Sequence, residues 1–399
     1  MGLALAVVLA AGGLHLWLKP RPRLMFAFAN TANQTAFSPD GRALLSGGPG
    51  FESVPSTDWW AEPGDVSWRA RLSLRDGRSG APLLGDSLGG MRLEPEATPT
   101  PVELLDFSRD GGLIAAGGWD SVSVPGRTGI LRIWDAATGV EGPTLDLPGH
   151  GGQVAFADGG RTLLMREMVG SDQERIHRWD ARTWQPLPEI LLSNLVHEAA
   201  IFAPDGSALA VADLAGVAIT LYDLPSGLKR TVLADPDRSG PQLSYIALQF
   251  SPDGRTLAVI RADGAVQLWD VPSSTIRRTL RPDLGDLSLG WSIACGDRYL
   301  ALGAFEEITP SWAQRLVRRF TPGGRPAASA LPVAGRIRIV DGLTGREVAT
   351  LEGFNTRSVR LAFSPDERTL ATTEMDIDAT GTRQGVWYAT KVWDISAVR

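Results

Sequence analysis

The sequence has 399 residues and is poor in the residue types that most often build metal sites and covalent cross-links. Its one cysteine, Cys295, excludes an internal disulfide and a cysteine-based zinc site. The histidines at positions 150, 177 and 197 do not have metal-ligand spacing. A net charge of −6 and a pI near 5.4 exclude the global basic field that attracts nucleic acid.

Glycine and proline are abundant, at 45 and 27 residues, and long helical patterns are few. This composition favours an all-β chain of short strands and turns. The pattern is clearest in Phe250 to Asp270, FSPDGRTLAVIRADGAVQLWD. Ser-Pro-Asp-Gly forms a tight turn, Thr256 to Ile260 predicts a buried strand, and Val266 to Trp269 predicts a strand with alternating faces. These 21 residues therefore predict a three-stranded antiparallel meander.

The same turn signal recurs along the chain. It begins at Phe37, Phe107, Phe156, Phe202, Phe250 and Phe363, with a weaker copy at Ile293. Each copy is followed by a third-strand ending, which is Arg75-Asp76, Trp134-Asp135, Trp179-Asp180, Tyr222-Asp223, Trp269-Asp270, Val340-Asp341 or Trp393-Asp394. Repeats of roughly 40 to 50 residues with a terminal Trp-Asp are typical of propeller blades. The aspartates are interpreted as turn residues that accept backbone N–H bonds.

These repeats resemble the WD40-repeat family over about residues 24–399. The resemblance implies a seven-bladed β-propeller of four-stranded antiparallel blades, which serves as a non-catalytic platform for protein partners and uses no cofactor. One departure is that the Gly-His pair typical of the family survives only as Gly149-His150. The repeats predict blades at about 35–85, 102–147, 152–193, 198–233, 245–281, 291–352 and 358–395. Residues 24–28 are predicted to complete the last blade and close the ring.

The chain begins with an apolar stretch, Gly2 to Leu18, followed by Lys19, Arg21 and Arg23. Residues 1–23 predict an N-terminal membrane anchor helix with a basic flank. The alternative is a signal peptide, which requires a basic region before the apolar stretch and a cleavage site after it. The positive-inside rule places the propeller in the cytoplasm, whereas cleavage would leave it periplasmic or secreted. The propeller itself is expected to be monomeric.

Insertions are predicted between strands b and c of four blades, at 49–65, 119–128, 305–332 and 374–385, and between blades 1 and 2 at 86–101. These loops belong to blades 6, 7, 1 and 2, which are consecutive in a seven-blade ring, and all emerge on one face. Loops on a rigid scaffold are frequent binding sites, so this face is the predicted partner surface. Its candidate contact residues are Phe51, Trp59, Trp60, Trp119, Trp312, Arg315, Arg318, Arg319, Phe320, Asp376 and Asp378.

Two of these insertions have further features. Thr309-Pro310 and Gly323 bracket a short basic amphipathic helix, with Trp312, Leu316 and Phe320 on one face, which could dock a partner or anionic headgroups or pack on the propeller rim. Acidic residues alternate from Glu374 to Asp378, but Trp387 stands where an EF-hand needs glutamate, so a solvated hairpin tip is favoured over a metal site. The alternative function is a propeller enzyme, or a protein that binds a small ligand or a metal, at the mouth of the central channel.

Overall fold

The computed structural model describes residues 22–30, 34–53, 66–84, 104–118, 129–147, 151–169, 172–193, 195, 197–213, 218–235, 245–282, 288–307, 333–354, 359–377 and 386–397. The described residues form 27 strands in seven antiparallel sheets, which are the blades of a propeller. In each blade, strands a to d follow one another from the inside of the ring to the outside. The strands a of neighbouring blades contact one another around a closed ring, in which the first blade meets the seventh.

The strand bounds follow the repeats. Blade 1 contains β2 (Gln34–Phe37), β3 (Ala43–Ser53) and β4 (Val66–Asp76). Blade 2 contains β5 (Leu104–Phe107), β6 (Leu113–Gly118), β7 (Gly129–Asp135) and β8 (Glu141–Leu147). Blade 3 contains β9 (Gly151–Ala157), β10 (Thr162–Met168), β11 (Gln173–Asp180) and β12 (Pro186–Ser193). Blade 4 contains β13 (His197–Phe202), β14 (Ala208–Asp213), β15 (Ala218–Asp223) and β16 (Lys229–Ala234).

The remaining three blades complete the ring. Blade 5 contains β17 (Tyr245–Phe250), β18 (Thr256–Arg261), β19 (Val266–Asp270) and β20 (Thr275–Leu280). Blade 6 contains β21 (Ser288–Cys295), β22 (Tyr299–Glu307), β23 (Val333–Asp341) and β24 (Glu347–Phe354). Blade 7 contains β25 (Val359–Phe363), β26 (Thr369–Ile377), β27 (Val386–Asp394) and, as its fourth strand, β1 (Arg23–Asn30) from the start of the chain.

The prediction of an all-β, seven-bladed propeller is confirmed, with one difference in blade 1. In the part of that blade that the structure describes, the predicted fourth strand is reduced to a single bridge between Arg75 and Pro82. The strand predicted to close the ring pairs antiparallel with β27 from Arg23 opposite Asp394 to Asn30 opposite Tyr388. Its Phe26 ring also packs so closely on Gly80 of blade 1 that a Cβ there would lie 2.5 Å from it. β1 therefore joins blades 7 and 1.

The core is divided among the seven contacts between adjacent blades. Each hydrophobic cluster draws its residues from two neighbouring blades, as where Leu131 and Ile133 of blade 2 pack with Phe156 and Trp179 of blade 3. Successive side chains of a strand point to opposite faces of its sheet, and the apolar ones on both faces are buried against a neighbouring blade. Every blade depends on its two neighbours for burial, which is the physical reason that such repeats form a closed ring.

The turns between strands a and b share one hydrogen-bond pattern. In blade 5, the hydroxyl of Ser251 donates to Asp253 Oδ1 at 2.6 Å and accepts from the backbone N–H of Thr256 at 2.9 Å. Blades 1, 2 and 7 repeat these bonds from Ser38, Ser108 and Ser364. The recurring Ser-x-Asp spacing therefore fixes the local turn independently of the rest of the chain.

The turns between strands c and d confirm the predicted role of the repeat aspartates. Asp135 Oδ1 accepts from the backbone N–H groups of Ala137 and Thr138 at 3.1 and 2.8 Å. Asp180 does the same from residues 182 and 183, and Asp270 from residue 273. Hydrogen bonds from the hydroxyl groups of Thr138, Thr183 and Ser273, together with these backbone bonds, lower the pKa of all three carboxyl groups, because they stabilise the charged form.

Residues 1–21, where a membrane anchor is predicted, lie outside the described residues. Within the described ranges, no helix is long and apolar enough to cross a bilayer.

Candidate interaction surface

Three adjacent blades have longer b–c hairpins than the rest of the ring. Strands b and c have 11 residues each in blade 1 and nine each in blades 6 and 7. They have six and seven in blade 2, seven and eight in blade 3, six each in blade 4, and six and five in blade 5. The turns at the a–b and c–d ends are in register among the blades, so the extra residues extend the b–c end. At about 3.3 Å per residue, the three to six residues by which these strands exceed those of blades 4 and 5 raise the hairpins by roughly 10 to 20 Å relative to those two blades. We call the three hairpins, β3–β4, β22–β23 and β26–β27, the hairpin surface.

The predicted bounds of the insertions are wrong in these three blades. Pro49 pairs with Ala70, Phe305 with Gly335 and Glu374 with Ala389, so each residue belongs to a strand and not to a loop. The insertions outside the strands are therefore shorter, at 54–65, 308–332 and 378–385. The prediction failed because a Gly-Gly-Pro-Gly sequence favours a loop locally, whereas the long cross-strand ladder overrides it here.

Threonines at the base of the hairpin surface join blade 7 to blade 1. The Thr373 hydroxyl lies 2.5 Å from that of Thr35 in strand a of blade 1, and 3.2 Å from that of Thr390 on the adjacent strand. Thr373 is 2% exposed and Thr390 is fully buried. Buried hydroxyl groups are costly unless they are hydrogen-bonded, so this chain of bonds fixes the two hairpins relative to each other.

A buried ion pair at the same level joins blade 7 to blade 6. The Lys391 ammonium bonds to the carboxylate of Glu374, which is 7% exposed. It also lies 5.2 Å from the centre of the Phe354 ring at the end of strand d of blade 6, a cation–π distance. The predicted solvated tip at Glu374 is therefore wrong, because this carboxylate is part of the braced base.

Few of the predicted contact residues belong to the described part of the chain. Phe51 pairs with Trp68 in the blade 1 hairpin, and Asp376 pairs with Trp387 in the blade 7 hairpin. The structure thus places these two on adjacent hairpins of the proposed surface. The other predicted contacts lie outside the described residues, and these are Trp59, Trp60, Trp119, Trp312, Arg315, Arg318, Arg319, Phe320 and Asp378.

The central channel is the second candidate site, with a volume of ≈ 810 Å³ and walls formed by strand a of the blades. Its polar lining includes one carboxylate, Asp106, and the guanidinium groups of Arg109 and Arg360. Asp106 Oδ2 accepts from the backbone N–H of Phe156 in the next blade at 3.0 Å. Burial raises the pKa of Asp106 to about 7, because it disfavours the charged carboxylate more strongly than backbone hydrogen bonds to that carboxylate stabilise it. Among the described residues, no group of three histidine, cysteine or acidic side chains is placed to hold a metal.

The residues that brace the surface were missed in the sequence. Their available signal was Thr372-Thr373 in strand b of blade 7, where the matching positions of blade 5 hold Val259-Ile260. A polar run in an otherwise buried strand indicates buried partners, but those partners could not be identified. Thr35 and Thr373 are 338 positions apart in sequence.

Comparison with known proteins agrees with the repeat pattern. The family model described as WD domain, G-beta repeat (WD40) matches residues 239–270, which include strands a to c of blade 5. A search of the curated proteins finds no match. The matched repeat and the closed ring of seven antiparallel sheets support a WD40-repeat propeller family.

Proposed function

We propose that the protein is a non-catalytic scaffold, tethered to a membrane by residues 2–18, that binds a protein partner on the hairpin surface. The loops of blade 2 and residues 86–101 extend this surface in the proposal. The fold supports the general role, because WD40 propellers are commonly scaffolds for protein interactions. The observation that carries the specific surface is the set of three raised hairpins on consecutive blades, braced at their base by Thr373 and Lys391.

The braced base matters because it reduces the cost of binding. A partner that contacts independent loops must pay for ordering each of them, whereas these hairpins are held by paired strands and buried polar bonds. Blades 4 and 5 lack raised hairpins, so the surface is confined to one side of the ring. A partner bound there would contact several blades at once.

The alternative of catalysis in the channel has less support. General acid–base and nucleophilic chemistry require groups within hydrogen-bond reach of each other. Asp106 is the one carboxylate in the described lining, and its Oδ2 is bonded to the Phe156 N–H. With a pKa of about 7 the Asp106 carboxyl is partly protonated near neutral pH, but no second acid, base or nucleophile is placed beside it in the described lining.

The membrane tether is proposed from the apolar stretch Gly2 to Leu18 and the basic residues that follow it. This arrangement supports a cytoplasmic propeller, and cleavage after the stretch would instead release it on the other side. Extraction of native membranes with alkaline carbonate distinguishes the two. A tethered chain stays in the pellet with its N-terminal peptide intact, and a released one is soluble and lacks that peptide.

The partner surface is tested by affinity capture from detergent-solubilised native cells, with the full chain and two loop variants. In the first variant a short Gly-Ser turn replaces 308–332, the insertion of blade 6, and the strand ends at Glu307 and Val333 are kept. In the control the same turn replaces 236–244, the connection from strand d of blade 4 to strand a of blade 5. This connection starts from the same face of the ring as the b–c hairpins but is not part of the hairpin surface. We expect the first variant to lose a partner that the control retains. Equal capture by both variants would rule out the blade 6 insertion as the contact.

A further inference from the structure

The closing strand determines which face of the propeller is nearest to the apolar N-terminal stretch. β1 runs antiparallel to β27, and its first residue, Arg23, pairs with Asp394. Asp394 ends strand c, so Arg23 lies at the end of the blade where the a–b and c–d turns are found. The hairpin surface begins at the opposite end of the same strands, beyond Tyr388, which pairs with Asn30.

The same position can be followed around the ring. In blade 2 the N–H of Asp135 donates to the carbonyl of Val140 at 3.0 Å, and in blade 4 that of Asp223 donates to Leu228 at 2.8 Å. Val140 and Leu228 therefore lie beside the aspartates that end strand c of their blades. Arg23 has the same position beside Asp394 in blade 7. The c–d turns of these blades lie at the level where the chain enters the propeller.

The connection to the apolar stretch is short. Leu18 and Arg23 are five residues apart, and an extended chain covers at most about 3.6 Å per residue, so they are within roughly 18 Å. The strands of blade 7 then rise by about 3.3 Å per residue, which places Val386, eight residues from Asp394, roughly 26 Å further away. The c–d turns are thus within reach of a bilayer that holds Leu18, and the hairpin surface points away from it.

The c–d turns also carry the most exposed large apolar side chains of the described residues. Leu228 is 69% exposed, Val140 is 65% exposed and Leu343, in the c–d turn of blade 6, is 60% exposed. Single exposed apolar residues are ordinary, but these three share one face in three different blades. The a–b and c–d turns carry both aspartates and arginines, such as Asp253 and Arg255, so this face has charges of both signs. We therefore expect contact through the apolar tips and not by attraction to anionic lipid.

We propose that the propeller rests on the bilayer by its a–b and c–d turns, with Val140, Leu228 and Leu343 towards the lipid, and presents the hairpin surface to a partner on the opposite side. This orientation rests on the proposed tether through residues 2–18. It excludes lipid headgroups as the ligand of the blade 6 insertion and assigns that insertion to a soluble protein or a soluble domain.

The orientation is tested on the full chain reconstituted in phosphatidylcholine vesicles, with bimane attached to single introduced cysteines. Leu343→Cys and Leu228→Cys report the c–d face, and Met168→Cys is the matched control, because Met168 is 58% exposed at the b–c end of blade 3. The native Cys295 can remain, since it is buried and burial raises the pKa of its thiol, which keeps it unreactive.

Brominated lipids should quench the labels at 343 and 228 at least about twofold more than the label at 168, because interfacial apolar groups enter the headgroup boundary. Equal or stronger quenching at 168 would overturn the orientation while the tether stands. If alkaline carbonate strips the intact chain from the vesicles, the tether fails and the orientation fails with it. The loop-replacement experiment remains independent of both results, because it measures the partner.

Discussion

Replacing Glu367 with glycine should destabilise the propeller, although the substitution removes backbone strain. Glu367 has φ +52° in the a–b turn of blade 7, a left-handed conformation that costs most residues about 1 to 2 kcal/mol. Four other blades have glycine at this position with φ between +67° and +73°, and these are Gly41, Gly111, Gly206 and Gly254. The Glu367 side chain must therefore make interactions that offset the strain of its backbone.

The compensation is a contact across the seam between blades 6 and 7. The backbone N–H of Arg298 in the short a–b turn of blade 6 donates to Glu367 Oε1 at 2.8 Å. The carboxylate packs directly on Gly296, where a Cβ would lie 2.1 Å from Oε1 in its present position. Burial raises the pKa of Glu367, and backbone bonds from Arg298, Asp297 and Tyr299 oppose that rise.

The expected magnitude follows from these two effects. Glycine recovers about 1 to 2 kcal/mol of strain, whereas a hydrogen bond to a charged group contributes about 1.5 to 3 kcal/mol. We therefore expect Glu367→Gly to lower the free energy of unfolding by about 1 kcal/mol. Urea denaturation followed by tryptophan fluorescence measures it, with the slope checked against wild type.

Ser274→Gly is the matched control, because Ser274 has φ +57° at the c–d turn of blade 5 without a comparable cap. Its hydroxyl lies 3.3 Å from that of Thr231, a weak contact. This variant should gain about 0.5 to 1 kcal/mol. A Glu367→Gly protein as stable as wild type, beside a stabilised Ser274→Gly protein, would refute the claim that the carboxylate outweighs the strain.

Three further predictions test the ring, its seams and its channel. Deleting residues 24–30 should lower the melting temperature by several degrees, measured by circular dichroism, because blade 7 then loses its fourth strand. Lys391→Ala should cost about 3 kcal/mol in urea denaturation, since it leaves the buried Glu374 charge unpaired, and Glu374→Gln in the same chain should restore most of it. Folded Asp106 retains its proton up to pH about 7, whereas the unfolded chain releases it near pH 4. The free energy of unfolding should therefore decrease as the pH rises from about 4 to about 7. Asp106→Asn should flatten that dependence in denaturation curves recorded from pH 4 to 8.

The ring and its turns could be predicted because their determinants are local. Ser251, Pro252, Asp253 and Gly254 form their turn within a few residues, and the same spacing recurs often enough to count the blades. The aspartate at the end of strand c was predicted correctly for the same reason. The sequence pattern also contained a threonine or serine three residues after most of these aspartates, which the structure shows bonding to them, and that signal was missed.

The hairpin surface could not be predicted in detail because it depends on distant pairing. Pro49 is a poor strand residue by itself, and it is extended because eleven successive residues of β3 pair with β4. Likewise Thr373 and Lys391 acquire their roles only when blades 7, 1 and 6 meet. Local propensity therefore predicts where blades begin and end, and the contacts between blades decide how far the hairpins rise.

The pairing of β1 with β27 also sets the order in which the protein can fold. Arg23–Asn30 leaves the ribosome first, and its partner Val386–Asp394 leaves about 360 residues later. At 5 to 20 residues per second the first strand waits roughly 20 to 70 s for a partner. During this time Met25, Phe26 and Phe28 have no strand beside them, so β1 is exposed to aggregation. The ring can close only after β27 has been synthesised, and its last folding step is the docking of β1 on that strand.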